Sequence, residues 1–212
     1  MNEILQQIFQ GIVEGQQDVV VAGVIAALEA GVPAKTILND GMLAAMAEVG
    51  RQFEEGECYV PEMLISARAM KAGLAKLQPS LKETKVEAAG RVALGTVKGD
   101  LHDMGKNLVG MMLEGAGFTV KDLGVDVPPE VFVSAADEVD VIGLSALLTT
   151  TMGQMKNTLD ALDAAGKRPK VKVIVGGAPV TEGFAHHIGA DGYAADASRA
   201  VALAKSLISP SA

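Results

Sequence analysis

Val92-Ala93-Leu94-Gly95-Thr96-Val97 is a short apolar run of strand length, and after Lys98 it gives way to Gly99-Asp100-Leu101-His102-Asp103-Met104-Gly105-Lys106-Asn107, which leads into an amphipathic helix. A strand that hands over to a helix in this way is the start of a βα unit. Open α/β sheets bind ligands beyond the carboxyl ends of their strands, so this loop presents His102 and Asp100 where a ligand is met. An imidazole with a carboxylate two residues earlier has the parts of an oriented metal ligand. A carboxylate on one ring nitrogen fixes the tautomer and raises the basicity of the other.

Downstream the same alternation repeats. Val92–Val97, Thr119–Leu123, Val139–Ser145, Val171–Val175 and Gly192–Ala194 read as strands, with helices over Gly105–Gly115, Pro129–Glu138, Thr151–Ala165, Thr181–Ile188 and Ser198–Ile208. Continuous apolar strands alternating with helices predict a parallel sheet covered on both faces. Five βα units predict a doubly wound, flavodoxin/Rossmann-like five-stranded domain over residues 85–212, with a crevice at its switch point. Upstream the period is helical throughout: Ile37, Met42, Met46, Val49 and Phe53 form one set, and Met63, Ala67, Met70, Leu74 and Leu77 another. Breaks at Glu14-Gly15-Gln16, Gly31-Val32-Pro33 and Gly56–Pro61 divide residues 1–84 into a four-helix bundle. Pro79–Ala89, polar and rich in Lys and Glu, reads as the linker.

Composition narrows the function. The 212 residues carry a formal charge of −8 with a pI near 4.9, against the excess of Lys and Arg that nucleic acid or an anionic membrane requires. A single cysteine, Cys58, excludes an internal disulfide framework. With no basic leader followed by a long apolar run, the expectation is a cytoplasmic protein. Absence of Trp and 3% aromatics weaken any stacking surface for nucleic acid.

The same inventory limits the metal. Zinc takes about three or four protein ligands, and beyond Cys58 the chain offers only His186 and His187, adjacent on a predicted helix and so pointing apart. A metal that brings its own equatorial ligands needs one axial group from the protein. A macrocyclic cofactor fits that arithmetic.

Asp100-Leu101-His102-Asp103-Met104-Gly105, Ser145-Ala146-Leu147 and Gly176-Gly177, in order and each at a predicted strand end, resemble the cobalamin-binding signature Asp-x-His-x-x-Gly, Ser-x-Leu, Gly-Gly. Upstream, Gly41-Met42, Val49-Gly50, Phe53 and Gly56-Glu57-Cys58-Tyr59-Val60-Pro61-Glu62-Met63 are similar to the helical cap that precedes this module in methionine synthase and in the corrinoid proteins of methyltransferase systems. The resemblance implies cobalamin or a related corrinoid, bound base-off/His-on with His102 as the lower cobalt ligand. Asp100 would accept a hydrogen bond from the other ring nitrogen, and Ser145 would complete the relay to Asp100. Gly105 would leave passage for the nucleotide tail, and Gly176 and Gly177 would let backbone lie against it. Leu147, Thr149 and Thr150 would line its pocket, while Tyr193 and Asp196 would meet its ribose or phosphate. Asp103 and Met104, inside the first element, join the cofactor-binding set. Phe53, Tyr59, Pro61, Glu62 and Met63 occupy the positions at which the relatives' cap faces the corrin.

Each of these residues also has a purely structural reading. His102 could be a solvated loop histidine, Asp100 or Asp103 a helix cap, and Ser145 a satisfied strand-end hydroxyl. Gly176-Gly177 could be a turn needing positive φ, Phe53 and Met63 bundle core, and Glu54, Glu55 and Glu57 a solvated face. The function the resemblance implies is a carrier rather than an enzyme in its own right. Methyl groups would pass on cobalt from a substrate-specific methyltransferase, of barrel type, to a second methyltransferase acting on a thiol or tetrahydrofolate acceptor, with a reductive activation protein in support. The rival readings are a small subunit of an adenosylcobalamin mutase, a cobalamin-sensing regulator, and an FMN-type electron carrier.

Overall fold

The computed structural model describes residues 3–83 and 88–208. Its contacts divide the chain into two compact units, Met1–Glu87 with Glu114–Gly117, and Ala88–Leu113 with Phe118–Ala212. The boundary expected at 84/85 lies outside the described residues.

The first unit is built from four helical rods among its described residues: α1 (Glu3–Val13), α2 (Gln17–Glu29), a continuous rod of α3 (Ala34–Thr36), a π-helical stretch (Ile37–Leu43) and α4 (Ala44–Glu54), and α5 (Val60–Glu83). Leu5, Ile8 and Ile12 of α1 face inward at helical spacing. The helices approach closely where side chains vanish: a Cβ on Gly23 would lie 2.8 Å from Ile8, and one on Gly73 2.7 Å from Val20. The interval of five between Ile37 and Met42 does not fit an α-helical face. The π stretch resolves it, since the Ala44 N–H donates to the Asn39 carbonyl five residues back. Ile37 and Met42 thereby both reach the core. Met63 is also fully buried, its structural reading, whereas Tyr59 is 68% exposed. Arg51 ion-pairs Glu48, Glu55 and Glu57, so part of the acidic cluster is tied to one guanidinium.

One correction concerns the linker. Helix α5 runs through Pro79 to Glu83, because the apolar spacing that buries Met70 and Leu77 continues to half-buried Leu81. Only the later part of Pro79–Ala89 can link, and residues 84–87 of it lie outside the described residues.

In the second unit β1 (Arg91–Thr96), β2 (Thr119–Asp122), β3 (Val141–Ser145), β4 (Lys172–Gly176) and β5 (Gly192–Ala194) form one parallel sheet in the order β2-β1-β3-β4-β5. They alternate with α6 (Met104–Gly115), α7 (Pro129–Ala135), α8 (Gly153–Ala164), α9 (Glu182–Ile188) and α10 (Ala197–Ile208). Central strands β1 and β3 are buried on both faces, as their unbroken apolar runs require. Ala93, Ile142, Leu144, Val173 and Val175 share a core with Phe132 of α7, Met155 and Leu159 of α8 and Ile188 of α9. Phe132 sits over Gly95, where a Cβ would come within 2.6 Å of its ring. Strand order reverses between β1 and β3, which places the crevice beyond their carboxyl ends. Helix α7 stops at Ala135 rather than Glu138, and α8 starts at Gly153 rather than Thr151. No helix among the described residues is long and apolar enough to cross a membrane.

Candidate functional site

Strand register assembles the site. Thr96 of β1, Ser145 of β3 and Gly176 of β4 are lateral partners at the carboxyl edge of the sheet, so three segments distant in sequence meet along one line.

From this edge the β1–α6 loop folds back on itself. The Asp100 N–H donates to the Val97 carbonyl at 3.1 Å, and the Thr96 hydroxyl donates to the His102 carbonyl at 2.8 Å. Asp100 is wholly buried, and both its oxygens are engaged. Oδ1 accepts the His102 N–H at 3.1 Å and faces His102 Nδ1 at 2.7 Å. Oδ2 accepts the Leu147 N–H at 2.8 Å, the Leu148 N–H at 3.2 Å and the Thr151 hydroxyl at 2.7 Å. Burial works to raise the Asp100 carboxyl, but hydrogen bonds from His102, Thr151 and Leu147 outweigh it and hold the group well below the usual carboxylate range. An ionised carboxylate only accepts, so it is Nδ1 whose proton is committed to Asp100. The side chain of His102 is half exposed, and Nε2 has no partner among the described residues. This is an oriented imidazole with one ring nitrogen uncommitted.

Asp100 therefore does not cap a helix through its side chain. Asp103 precedes α6, and its Oδ2 accepts from the Asn107 amide at 3.0 Å. Met104 is 84% exposed, and Leu101, Leu147 and Leu148 are further exposed apolar residues on the two loops that carry and hold Asp100. A Cβ on Gly105 would meet no atom within 4 Å, so the space beside it is open. Thr149 and Thr150 are exposed on the β3–α8 loop.

The relay expected from Ser145 is made by another residue. Ser145 ends β3 half-buried, and the hydroxyl that reaches Asp100 is that of Thr151, buried at 7% exposure. Thr151 is the last of three consecutive threonines, which no spacing rule separates. Its commitment to Asp100 is also why α8 begins two residues later than expected. Gly177 has φ +128°, and a Cβ there would stand 1.9 Å from the Ala146 carbonyl oxygen; one on Gly176 would stand 2.9 Å from that of Ala194. The glycine pair is thus required by backbone crossing alone. Tyr193 on β5 pairs in register with Val175 and packs on the sheet core. Asp196 caps α10, its Oδ1 accepting the Arg199 N–H at 2.8 Å.

Sequence reasoning also passed over Lys106. Its buried ammonium donates to Asp122 Oδ1 at 2.6 Å and Asn107 Oδ1 at 2.7 Å, tying α6 to the end of β2. Lysine is almost never buried unless paired, and only the fold shows that this one is.

Two family models, each described as a B12 binding domain, match residues 4–78 and 90–202. The chain is 45% identical over 210 residues to dimethylamine corrinoid protein 2 of Methanosarcina acetivorans, covering 98% of this chain and 97% of that one. Among solved structures it is similar to the methanol:cobalamin methyltransferase complex of Methanosarcina barkeri, with TM-score 0.86 and 32% identity over 99% of this chain and 81% of that one. A cobalamin-binding protein from Desulfitobacterium hafniense matches with TM-score 0.82 and 31% identity, over 96% and 98% of the two chains.

Proposed function

We infer the function from one premise: the chain belongs to the B12-binding corrinoid proteins of methyltransferase systems. It is the subunit that carries a methyl group on a corrinoid. We propose that the corrinoid is held base-off/His-on, and the observation that carries this is the His102–Asp100 pair, with Nδ1 at 2.7 Å from a buried carboxylate and Nε2 left free. The donor set fits the group, since one oriented imidazole is what a metal with its own equatorial ligands requires, and the open space at Gly105 suits a tail entering the α/β unit.

When bound, the corrinoid supplies the methyl-accepting and methyl-donating centre. Nε2 of His102 would hold the metal. Asp100 sets the ring's tautomer and angle, and holds the Nδ1 proton against it. Thr151, with the Leu147 and Leu148 amides, keeps Asp100 from turning. Leu101, Met104, Leu147 and Leu148 offer apolar contact around the ligand atom, Gly176 and Gly177 at the end of β4 and Thr149 on the β3–α8 loop would meet the tail, Tyr193 on β5 would meet its ribose or phosphate, and Ser145 ends β3 beside Thr96 and Gly176. Asp103 steadies the first turn of α6 through Asn107.

The chain acts as a carrier, without methyl-transfer activity of its own. Its first partner is a methyltransferase, which we take to be of barrel type and to act on a compound bearing a methyl group on nitrogen. The relative this reading follows is the dimethylamine corrinoid protein, at 45% identity. A second methyltransferase and a reductive activation protein complete the system, and the setting is the cytoplasm.

The test is reconstitution of the full chain with hydroxocobalamin under anaerobic conditions. In protein labelled with 15N-histidine, the Co(II) form should show the two-line 15N hyperfine splitting of a histidine ligand in its electron paramagnetic resonance spectrum, distinct from the three-line 14N pattern that the corrinoid's own base would give. His102→Ala should retain corrinoid and lose that splitting. An identical spectrum in the two proteins would remove His102 as the ligand.

A further inference from the structure

Other segments of the α/β unit grip the loop from Gly99 to His102, and the contacts from one of them, the β2–α7 loop, play no part in the function proposed above. The β3–α8 loop holds the Asp100 carboxylate, and Thr96 holds the His102 carbonyl. The remaining grip comes from Asp126, on the β2–α7 loop. Among the described residues Asp126 is the non-glycine with positive φ, at +52°. Its N–H donates to the Asp100 carbonyl at 2.9 Å, and its Oδ1 accepts the Gly99 N–H at 2.6 Å.

A residue with a Cβ enters the left-handed region at a cost and stays there only where its surroundings impose it. Here that conformation turns the amide and the carboxylate of one residue onto the backbone of two successive residues of the β1–α6 loop, Asp100 and Gly99. The segment carrying Asp126 is anchored on both sides. Asp122 at the end of β2 accepts from buried Lys106 Nζ at 2.6 Å and from the Gly124 N–H at 2.8 Å. The Gly124 carbonyl accepts the Thr96 N–H at 3.0 Å, and the Val127 N–H donates to the Thr96 carbonyl at 2.9 Å. Asp126 is thereby fixed to β1, β2 and α6, and it passes that rigidity to the backbone of Asp100.

We propose that Asp126 is a positioning residue for His102: its paired contacts with Gly99 and Asp100 fix the main chain from which the orienting carboxylate and the imidazole project. It touches neither the ring nor the ligand. The β3–α8 loop fixes where the Asp100 carboxylate ends, and Asp126 fixes where its backbone begins, so together they leave the pair one geometry. Without Asp126, Gly99 and Asp100 can shift while the carboxylate stays in place, and the imidazole spreads over several orientations. The proposal rests on His102 being the cofactor ligand, and it makes β2–α7 loop geometry a determinant of how completely His102 ligates.

The test uses the full chain with three variants. Asp126→Asn keeps an acceptor oxygen and tolerance of the left-handed backbone, Asp126→Gly keeps the backbone and loses the acceptor, and Asp126→Ala loses both. In the cofactor-free protein, amide exchange at Gly99, Asp100 and His102 should accelerate about tenfold in the Gly and Ala variants, the effect of one lost hydrogen bond, and by clearly less in Asp126→Asn, which keeps the acceptor oxygen without the charge. After reconstitution with hydroxocobalamin and reduction to Co(II), the Gly and Ala variants should retain corrinoid with a several-fold smaller imidazole-ligated fraction, and Asp126→Asn should restore it. Unchanged exchange in the Gly and Ala variants overturns the proposal, as does an imidazole-ligated fraction equal to that of the unmodified chain. If the unmodified chain shows the same spectrum as His102→Ala, the ligation reading has failed, and the exchange measurement alone decides whether Asp126 fixes the loop.

Discussion

At the scale of single residues, the site is a buried carboxylate saturated by donors from two loops. Asp100 could not stay ionised in the interior without them, because an unpaired buried charge costs several kcal/mol. His102 supplies two of the five hydrogen bonds and the β3–α8 loop three. Thr151 is the member whose removal is cleanest. Thr151→Val keeps the shape and deletes the hydroxyl, and it should lower the stability of the cofactor-free chain by about 1–3 kcal/mol. Thr151→Ser should recover most of that loss in chemical denaturation. The Val variant should also weaken imidazole ligation in the reconstituted protein. Equal stability for Val and Ser variants would show that the 2.7 Å contact from Thr151 to Asp100 contributes little.

At the scale of elements, two glycines of the cofactor signature answer to different demands. Gly177 lies where the β4–α9 turn crosses the end of β3, and its missing Cβ avoids a carbonyl oxygen at 1.9 Å. Gly177→Ala should therefore destabilise the cofactor-free protein by about 3 kcal/mol or more, through backbone displacement and an unfavourable φ. Gly105 sits in the first turn of α6 with open space beside it. Gly105→Ala should raise cofactor-free stability by roughly 0.5 kcal/mol, since Ala is the better helix former, and should reduce corrinoid affinity by filling the passage. Thermal melts with and without hydroxocobalamin separate the two cases. A Gly105→Ala chain that binds corrinoid as tightly as the unmodified one would show that the tail does not pass there.

At the scale of the whole molecule, the residues given a part in holding the corrinoid under the proposed function, from Asp100, His102 and Gly105 to Thr151, Gly176, Gly177 and Tyr193, fall within the second unit. We propose that this unit is autonomous for binding. A fragment beginning at Lys85 should fold, show the circular dichroism of a mixed α/β domain and take up about one corrinoid with imidazole ligation. A fragment that folds but fails to bind would place essential contacts in residues 1–84. The first unit has its own core, built on Ile8, Ile12, Ile37, Met42, Met63 and Met70, and it is matched by its own B12 binding domain model.

Much of this whole was legible in the chain, for physical reasons. Parallel strands buried on both faces must be apolar throughout, so β1, β3 and β4 stand out as runs, and β1–α6, with His102 two residues after Asp100, is read from adjacent positions. Register is not local in this sense. Only folding brings Thr96, Ser145 and Gly176 side by side, and only folding chooses Thr151 over Ser145 as the hydroxyl on Asp100, because that choice depends on where the β3–α8 loop crosses and not on residue type. The π stretch that reconciles Ile37 with Met42, the buried Lys106 and the left-handed Asp126 belong to the same class. Each is a local irregularity that carries a cost by itself and persists because distant segments hold it, so the sequence determines the elements and their order while tertiary packing decides which side chains share a hydrogen bond.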